Sequence, residues 1–113
     1  MHELSLAQRV VEIIEDAAAR EAFARVRRVW LEVGLLSCVE PAAMRAGFEA
    51  AARDTLAEGA ALELVLIAGR GRCPACGTES ALEAREDACP RCGGYGLRPI
   101  AGTALRLREL EVE

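Results

Sequence analysis

The residues best placed to do chemistry are two cysteine pairs, Cys73-Pro74-Ala75-Cys76-Gly77 and Cys89-Pro90-Arg91-Cys92-Gly93-Gly94, with twelve residues between them. Each Cys-x-x-Cys can close a tight knuckle that turns two sulfurs toward one ion, and two such pairs at this separation are a strong metal signal. The glycines after Cys76 and Cys92 allow the positive φ that such a turn tends to need. Four thiolates make a closed tetrahedral shell, and soft donors in that geometry favour zinc and leave no position open for a substrate. The zinc is therefore expected to be structural. Two disulfides are the competing reading, which needs an oxidising compartment that nothing in the chain indicates.

Between Cys73 and Cys92 the apolar material is Leu82 and a few alanines. Such a segment cannot bury a core of its own. Metal ligation, worth roughly 10–16 kcal/mol in zinc peptides, is the expected source of its fold.

The second candidate is the chain start, Met1-His2-Glu3, which holds the only histidine. A terminal amine, the amide nitrogens that follow it and an imidazole can wrap one ion in a plane, and planar nitrogen donors select nickel(II) or copper(II). The methionine is expected to stay, because its removal generally requires a small second residue. Taken alone this is a weak signal, since a histidine beside a start methionine is usually a mobile surface residue.

Composition bounds what can hold these groups. A chain of 113 residues fits one domain, or one domain carrying a small metal module, and buries about two-thirds of its unfolded surface. Aromatics are only 4% against 52% hydrophobic, so alanine, leucine and valine must fill the interior. The net charge of −4 argues against a nucleic-acid partner. Glu3, Glu12, Glu15 and Asp16 interrupt any signal-peptide core, and no apolar run reaches membrane-span length. The expectation is a soluble, cytoplasmic protein with no nucleic-acid or membrane partner. Cys38, the fifth cysteine, is expected to pack as a small apolar side chain. No cysteine or serine has an evident base beside it, so no enzyme constellation is present.

Along the chain, Leu6, Val10, Ile13, Ile14 and Ala17 recur at helical spacing and predict an amphipathic helix over 4–20. The first three residues then form a short arm beside it. Alternation through Val29, Leu31 and Val33 predicts a strand over 25–36. Glu40-Pro41 opens a second helix, with Met44, Phe48 and Ala52 inward and its end near Gly59. Residues 60–68 are apolar on both faces, as a central strand would be. Residues 103–112 form the last strand, where Leu110 and Val112 have the opposite parity to Leu105 and Leu107, which suggests a bulge or an edge register shift.

The fold class is α+β: a three-stranded sheet with two helices, and a tetracysteine zinc-ribbon-like module inserted before the last strand. Residues 1–69 and 98–113 make a discontinuous α+β domain, and residues 70–97 make the zinc-binding module. Glu40, just before a helix-opening proline, reads first as serving the helix start. Arg70, Arg72 and Arg91 near the knuckles are balanced by Glu79, Glu83, Glu86 and Asp87, so they read as solvated charge.

The motifs together resemble a known family. Met-His-Glu-Leu-Ser-Leu-Ala at residue 1, Leu-Glu-Val-Gly-Leu-Leu-Ser at 31–37 with Val-Glu-Pro at 39–41, Phe48-Glu49, Ala-Glu-Gly-Ala at 57–60 with Leu62-Glu63, both cysteine knuckles and the closing Glu-Leu-Glu-Val-Glu look like the HypA/HybF family. Those are nickel-delivery proteins of NiFe-hydrogenase maturation. The resemblance spans nearly the whole chain. It implies that His2 ligates nickel, helped by the backbone of Met1 and Glu3, and that Cys73, Cys76, Cys89 and Cys92 hold zinc. It implies a nickel-delivery GTPase accessory protein as partner, the hydrogenase large subunit as client and, in some organisms, urease and its accessory proteins.

Some members of that family carry a second histidine near the zinc module; this chain has none. The fourth nickel donor is then the terminal amine, another backbone nitrogen, a carboxylate such as Glu3 or Glu40, a partner's side chain or water. Two other classes compete with this reading. One is a rubredoxin-like iron electron carrier, which lacks any counterpart of the helical front half. The other is a zinc-ribbon adaptor or nucleic-acid binder, which wants a basic, aromatic-lined face where only Tyr95 is available.

Overall fold

Apolar residues at helical spacing make α1, which in the computed structural model runs Glu3–Glu21; the structure describes residues 2–113. Its inward stripe is Ala7, Val10, Val11, Ile14 and Ala17, while Leu6 and Ile13 are only half-buried. The helix ends where Ala22 turns left-handed, at φ 57°, and its N–H caps the Ala18 carbonyl. Glu3 lies inside this helix and is buried. Of the expected three-residue arm, Glu3 belongs to the helix and its carboxylate accepts a hydrogen bond from Glu40 N–H, while Met1 lies outside the described residues.

β1 (Val26–Gly34) follows, then α2 (Pro41–Ala52) and β2 (Ala61–Ile67). In α2, Pro41 occupies the first turn and the Glu40 carboxylate accepts the Ala43 N–H at 2.7 Å. Glu40 thus serves the helix start, as its place before a proline indicates. Met44, Phe48 and Ala52 face inward as expected. The helix stops at Ala52, well short of Gly59. Asp54 is left-handed at φ 62°, and the Thr55 hydroxyl bonds the Ala52 carbonyl at 2.6 Å. A hydroxyl that claims the last helical carbonyl competes with continuation of the helix.

Three short strands come next: β3 (Arg70–Arg72), β4 (Glu79–Ala81) and β5 (Arg98–Ala101), before the long β6 (Leu105–Val112). The first sheet has the order β2-β1-β6, so β1 is central and β2 is an edge strand. This corrects the expectation for residues 60–68. Only Leu62 of β2 is buried, and Leu66 is 56% exposed, so an apolar pattern on both faces did not mean two covered faces. β6 changes parity as expected, with Leu105, Leu107 and Leu110 half-buried.

The second sheet has the order β4-β3-β5, both pairs antiparallel, with Arg70 opposite Ala81 and Arg72 opposite Glu79. Strands of three or four residues leave no readable period in a sequence.

The chain forms two compact units. The first comprises Met1–Leu31, Val39–Leu64 and Leu107–Glu113. Its core is built on Ile14, Val29, Leu31, Met44 and Phe48, each worth about 1.5–3 kcal/mol on full burial. The second comprises Glu32–Cys38 and Val65–Arg106. Leu36, Leu82 and Leu97 cluster there with Cys73 and Cys89. The cysteine segment therefore borrows apolar cover from both of its flanks.

Candidate metal centre

The two cysteine knuckles fold identically at the backbone. Cys73 donates its N–H to the Thr78 carbonyl at 2.9 Å and receives Gly77 N–H at 2.8 Å; Cys89 donates to Gly94 at 2.7 Å and receives Gly93 N–H at 2.8 Å. Gly77 and Gly93 carry φ of 74° and 75°, the left-handed turn that glycine supplies at no steric cost. Each knuckle is thus closed by its own hydrogen bonds, with two sulfurs projecting from it.

The two knuckles bring all four sulfurs within 4.8 Å of one another. Cys73 Sγ is 3.6 Å from Cys92 Sγ, and Cys76 Sγ is 3.7 Å from Cys89 Sγ. A regular tetrahedron with metal–sulfur bonds of 2.3 Å has edges of about 3.8 Å, whereas a disulfide would bring two sulfurs to about 2.05 Å. These are ion-binding distances, and all five cysteines are free thiols. Cys73 and Cys89 are buried against Leu36, Leu82 and Leu97, while Cys76 and Cys92 are exposed.

The electrostatics of the cage call for a cation. The Thr78 side chain and backbone draw the Cys76 thiol down to about 6. The N–H groups of Cys92 and Arg91 draw Cys89 down as well. At Cys92 the Gly94 N–H also pulls downward, but the sulfurs of Cys73 and Cys76 outweigh it and push the thiol up to about 11. The first proton leaves this cage easily and the last leaves hard, because a thiolate there meets other sulfurs at close range. A soft dication that accepts four thiolates removes the conflict, so the donor set suits a structural zinc.

His2 sits apart from that cage in the sequence and in kind. It is exposed and holds the N-cap position of α1, its carbonyl accepting Leu6 N–H at 3.1 Å. Its imidazole makes no capping bond to the helix. Among the described residues, the four cysteines are the only set of three or more histidine, cysteine, aspartate or glutamate side chains close enough to hold an ion. His2 belongs to no such set, and the contribution expected of Met1 lies outside the described residues.

The two carboxylates considered as donors are each engaged by a backbone N–H. Glu3 Oε2 accepts from Glu40 at 3.0 Å, and Glu40 Oε2 accepts from Ala43. The pairing of Glu3 with Glu40, 37 residues apart in sequence, was not legible beforehand. Its one available signal was a glutamate among the first residues of an amphipathic helix. Cys38, expected to pack inward, is exposed and left-handed at φ 63°, because the chain turns there between β1 and α2. Arg72 pairs with Glu79 across β3 and β4, and that contact lowers the Glu79 carboxyl from its ordinary value.

Compared with known proteins, the sequence matches the family described as hydrogenase/urease nickel incorporation metallochaperone HypA over residues 1–112. The chain belongs to the HypA family. HypA hydrogenase maturation factors of Azotobacter chroococcum (strain mcd 1) and Rhodopseudomonas palustris (strain BisA53) are 49% and 50% identical to it over 113 residues, covering both chains completely. Among solved structures, the nickel metallochaperone HypA from Helicobacter pylori has a TM-score of 0.76 at 23% identity, covering 99% of this chain and 97% of that one. A second HypA solution structure gives 0.73 at 22% identity, covering 100% and 97%. At that identity the likeness speaks for the fold.

HypA membership decides among the three readings of the sequence, because the match takes in the helical front half as well as the knuckles. The chain is a nickel metallochaperone of hydrogenase maturation with a tetracysteine cluster suited to zinc. Its role implies contact with the hydrogenase maturation machinery. No helix among the described residues is long and apolar enough to cross a membrane.

Proposed function

We propose that this HypA protein binds Ni(II) as cargo at its amino end, through the His2 imidazole and the backbone of Met1 and Glu3, and hands it on in the cytoplasm. Cys73, Cys76, Cys89 and Cys92 hold Zn(II), which supplies a covalent crosslink between the two knuckles and takes no part in transfer. The recipient is a nickel-delivery GTPase accessory protein and, through it, the hydrogenase large subunit. Urease accessory proteins are recipients where the organism makes urease. The protein performs no covalent chemistry of its own.

The observation that carries this reading is the state of His2: the sole histidine, exposed at the helix start, with its imidazole uncommitted to the helix. A donor set of neutral imidazole, deprotonated amine and deprotonated amides binds metal in competition with protons, so nickel affinity falls as pH drops. Copper(II) competes at least as well in vitro, which leaves selection in the cell to metal supply and to the recipient.

The test is made in cells that depend on this protein. Replacing the chromosomal residue by His2→Ala should abolish maturation of the nickel hydrogenase while the protein accumulates normally with its zinc. Normal maturation in that strain would overturn the assignment.

A further inference from the structure

The first turn of α1 is tied to the start of α2 from two directions. The Glu3 carboxylate, on a residue only 5% exposed, accepts the Glu40 N–H at 3.0 Å. Glu40 passes its own carboxylate to Ala43 N–H at 2.7 Å, so two carboxylates stand in series at the amino ends of two helices. Further along α2, Gly47 seats the other side: a Cβ there would lie 3.3 Å from the Glu3 carbonyl oxygen and from Leu4 Cα. His2 is the next residue outward.

A glutamate in the first turn of a helix ordinarily faces water and interacts with the helix dipole from there. Burying it costs free energy unless hydrogen bonds compensate. At Glu3 the carboxylate is buried, a backbone N–H meets it, and α2 carries a glycine where any side chain would push the turn away. Helix packing alone explains none of this, since an apolar residue at position 3 would pack without desolvating a charge.

We infer that Glu3 and Gly47 are positioning residues for the nickel arm, holding the first turn of α1 so that His2 and the backbone beside it are presented in one orientation. This rests on the reading of His2 as the nickel ligand. Two consequences follow from the physics. Fixing residue 3 leaves less chain to order when the metal binds, which is affinity gained by preorganisation. The Glu3 and Glu40 charges also offset the positive ends of both helix dipoles, which would otherwise repel a dication.

The experiment titrates nickel into full-length, untagged, zinc-loaded protein. It compares wild type, Glu3→Ala, Glu3→Gln, Gly47→Ala and His2→Ala, reading Kd, the nickel ligand-field spectrum and melting temperature. Glu3→Ala should weaken nickel binding about tenfold, the worth of one charge-assisted hydrogen bond, with the ligand-field band unmoved. Glu3→Gln, whose amide oxygen can still accept the Glu40 N–H but carries no charge, should recover part of that loss. Gly47→Ala should bind nickel about threefold more weakly even though alanine is the better helix former.

Wild-type affinity in both Glu3→Ala and Gly47→Ala, with only melting temperature changed, overturns the inference and reduces the contact to structure. A band shifted in Glu3→Gln overturns it differently, by making the carboxylate itself a ligand. If His2→Ala binds nickel as wild type does, the assignment of the nickel site falls and this inference falls with it. Loss of binding in His2→Ala alone would leave the site standing and the positioning role refuted.

Discussion

Cys76 and Cys89 belong to different knuckles, yet their sulfurs stand 3.7 Å apart, and Cys73 faces Cys92 across the cage at 3.6 Å. Each close contact is crosswise, so one ion ties together two turns that are separately closed by their own backbone bonds. Replacing Cys89 by serine should therefore release zinc entirely. Metal analysis should show no retained zinc, and hydrogen exchange should show β3, β4 and β5 unprotected while α1 and α2 keep their protection. Full zinc retention in Cys89→Ser would mean that the ion is held elsewhere.

The four thiols do not react alike while the cage keeps its folded geometry. Cys76 is drawn down to about 6 by Thr78, while Cys92 is pushed up to about 11 by its neighbouring sulfurs. The thiolate is the nucleophile, and both side chains are exposed. Alkylation at neutral pH in the first moments after a chelator takes the zinc, before the second unit opens, should mark Cys76 first and Cys92 far more slowly. The Cys76 rate should reach half its plateau near pH 6, read by peptide mass spectrometry. Equal rates at the two positions would contradict the asymmetry of the cage.

Gly93 turns its knuckle at φ 75° with nothing within 4 Å of where a Cβ would point. Gly93→Ala thus tests conformational strain without a clash. A left-handed alanine costs about 1–2 kcal/mol, so zinc affinity measured by chelator competition should fall about tenfold. Unchanged affinity would show that the turn relaxes when its glycine is lost.

Leu82 is 1% exposed and packs with Leu36, Leu97 and the two buried cysteines. Truncating a side chain so placed costs about 2–5 kcal/mol. Leu82→Ala should speed zinc loss to a chelator and lower the melting temperature, leaving nickel binding at the amino end near wild type. A variant as stable as the parent would mean that zinc alone sustains the second unit.

The parts of this molecule set by local pattern could be read in advance. Cys-x-x-Cys spacing with trailing glycines specifies a knuckle whatever surrounds it, and apolar residues such as Val10, Ile14 and Ala17 specify one face of a helix. The misread parts depend on what lies opposite. Residues 61–67 are apolar on both faces, but cover is supplied by neighbours, and the sheet order puts them at an edge. The end of α2 turned on a Thr55 hydroxyl reaching one carbonyl, which composition does not encode. Burial of Glu3 required knowing that α2 begins beside it with a backbone N–H to offer. Cys38 has the composition of a core residue and the φ of a turn.

On the proposed reading, nickel is gripped by the amino end and the cysteines hold only zinc. The most direct measurement is a nickel titration of untagged protein beside a form extended by two residues ahead of Met1, with zinc counted in the same samples. One nickel bound by the native form, affinity collapsed in the extended form and zinc unchanged in both is the predicted result. Equal nickel binding in the two forms, or nickel bound only as zinc departs, would contradict it.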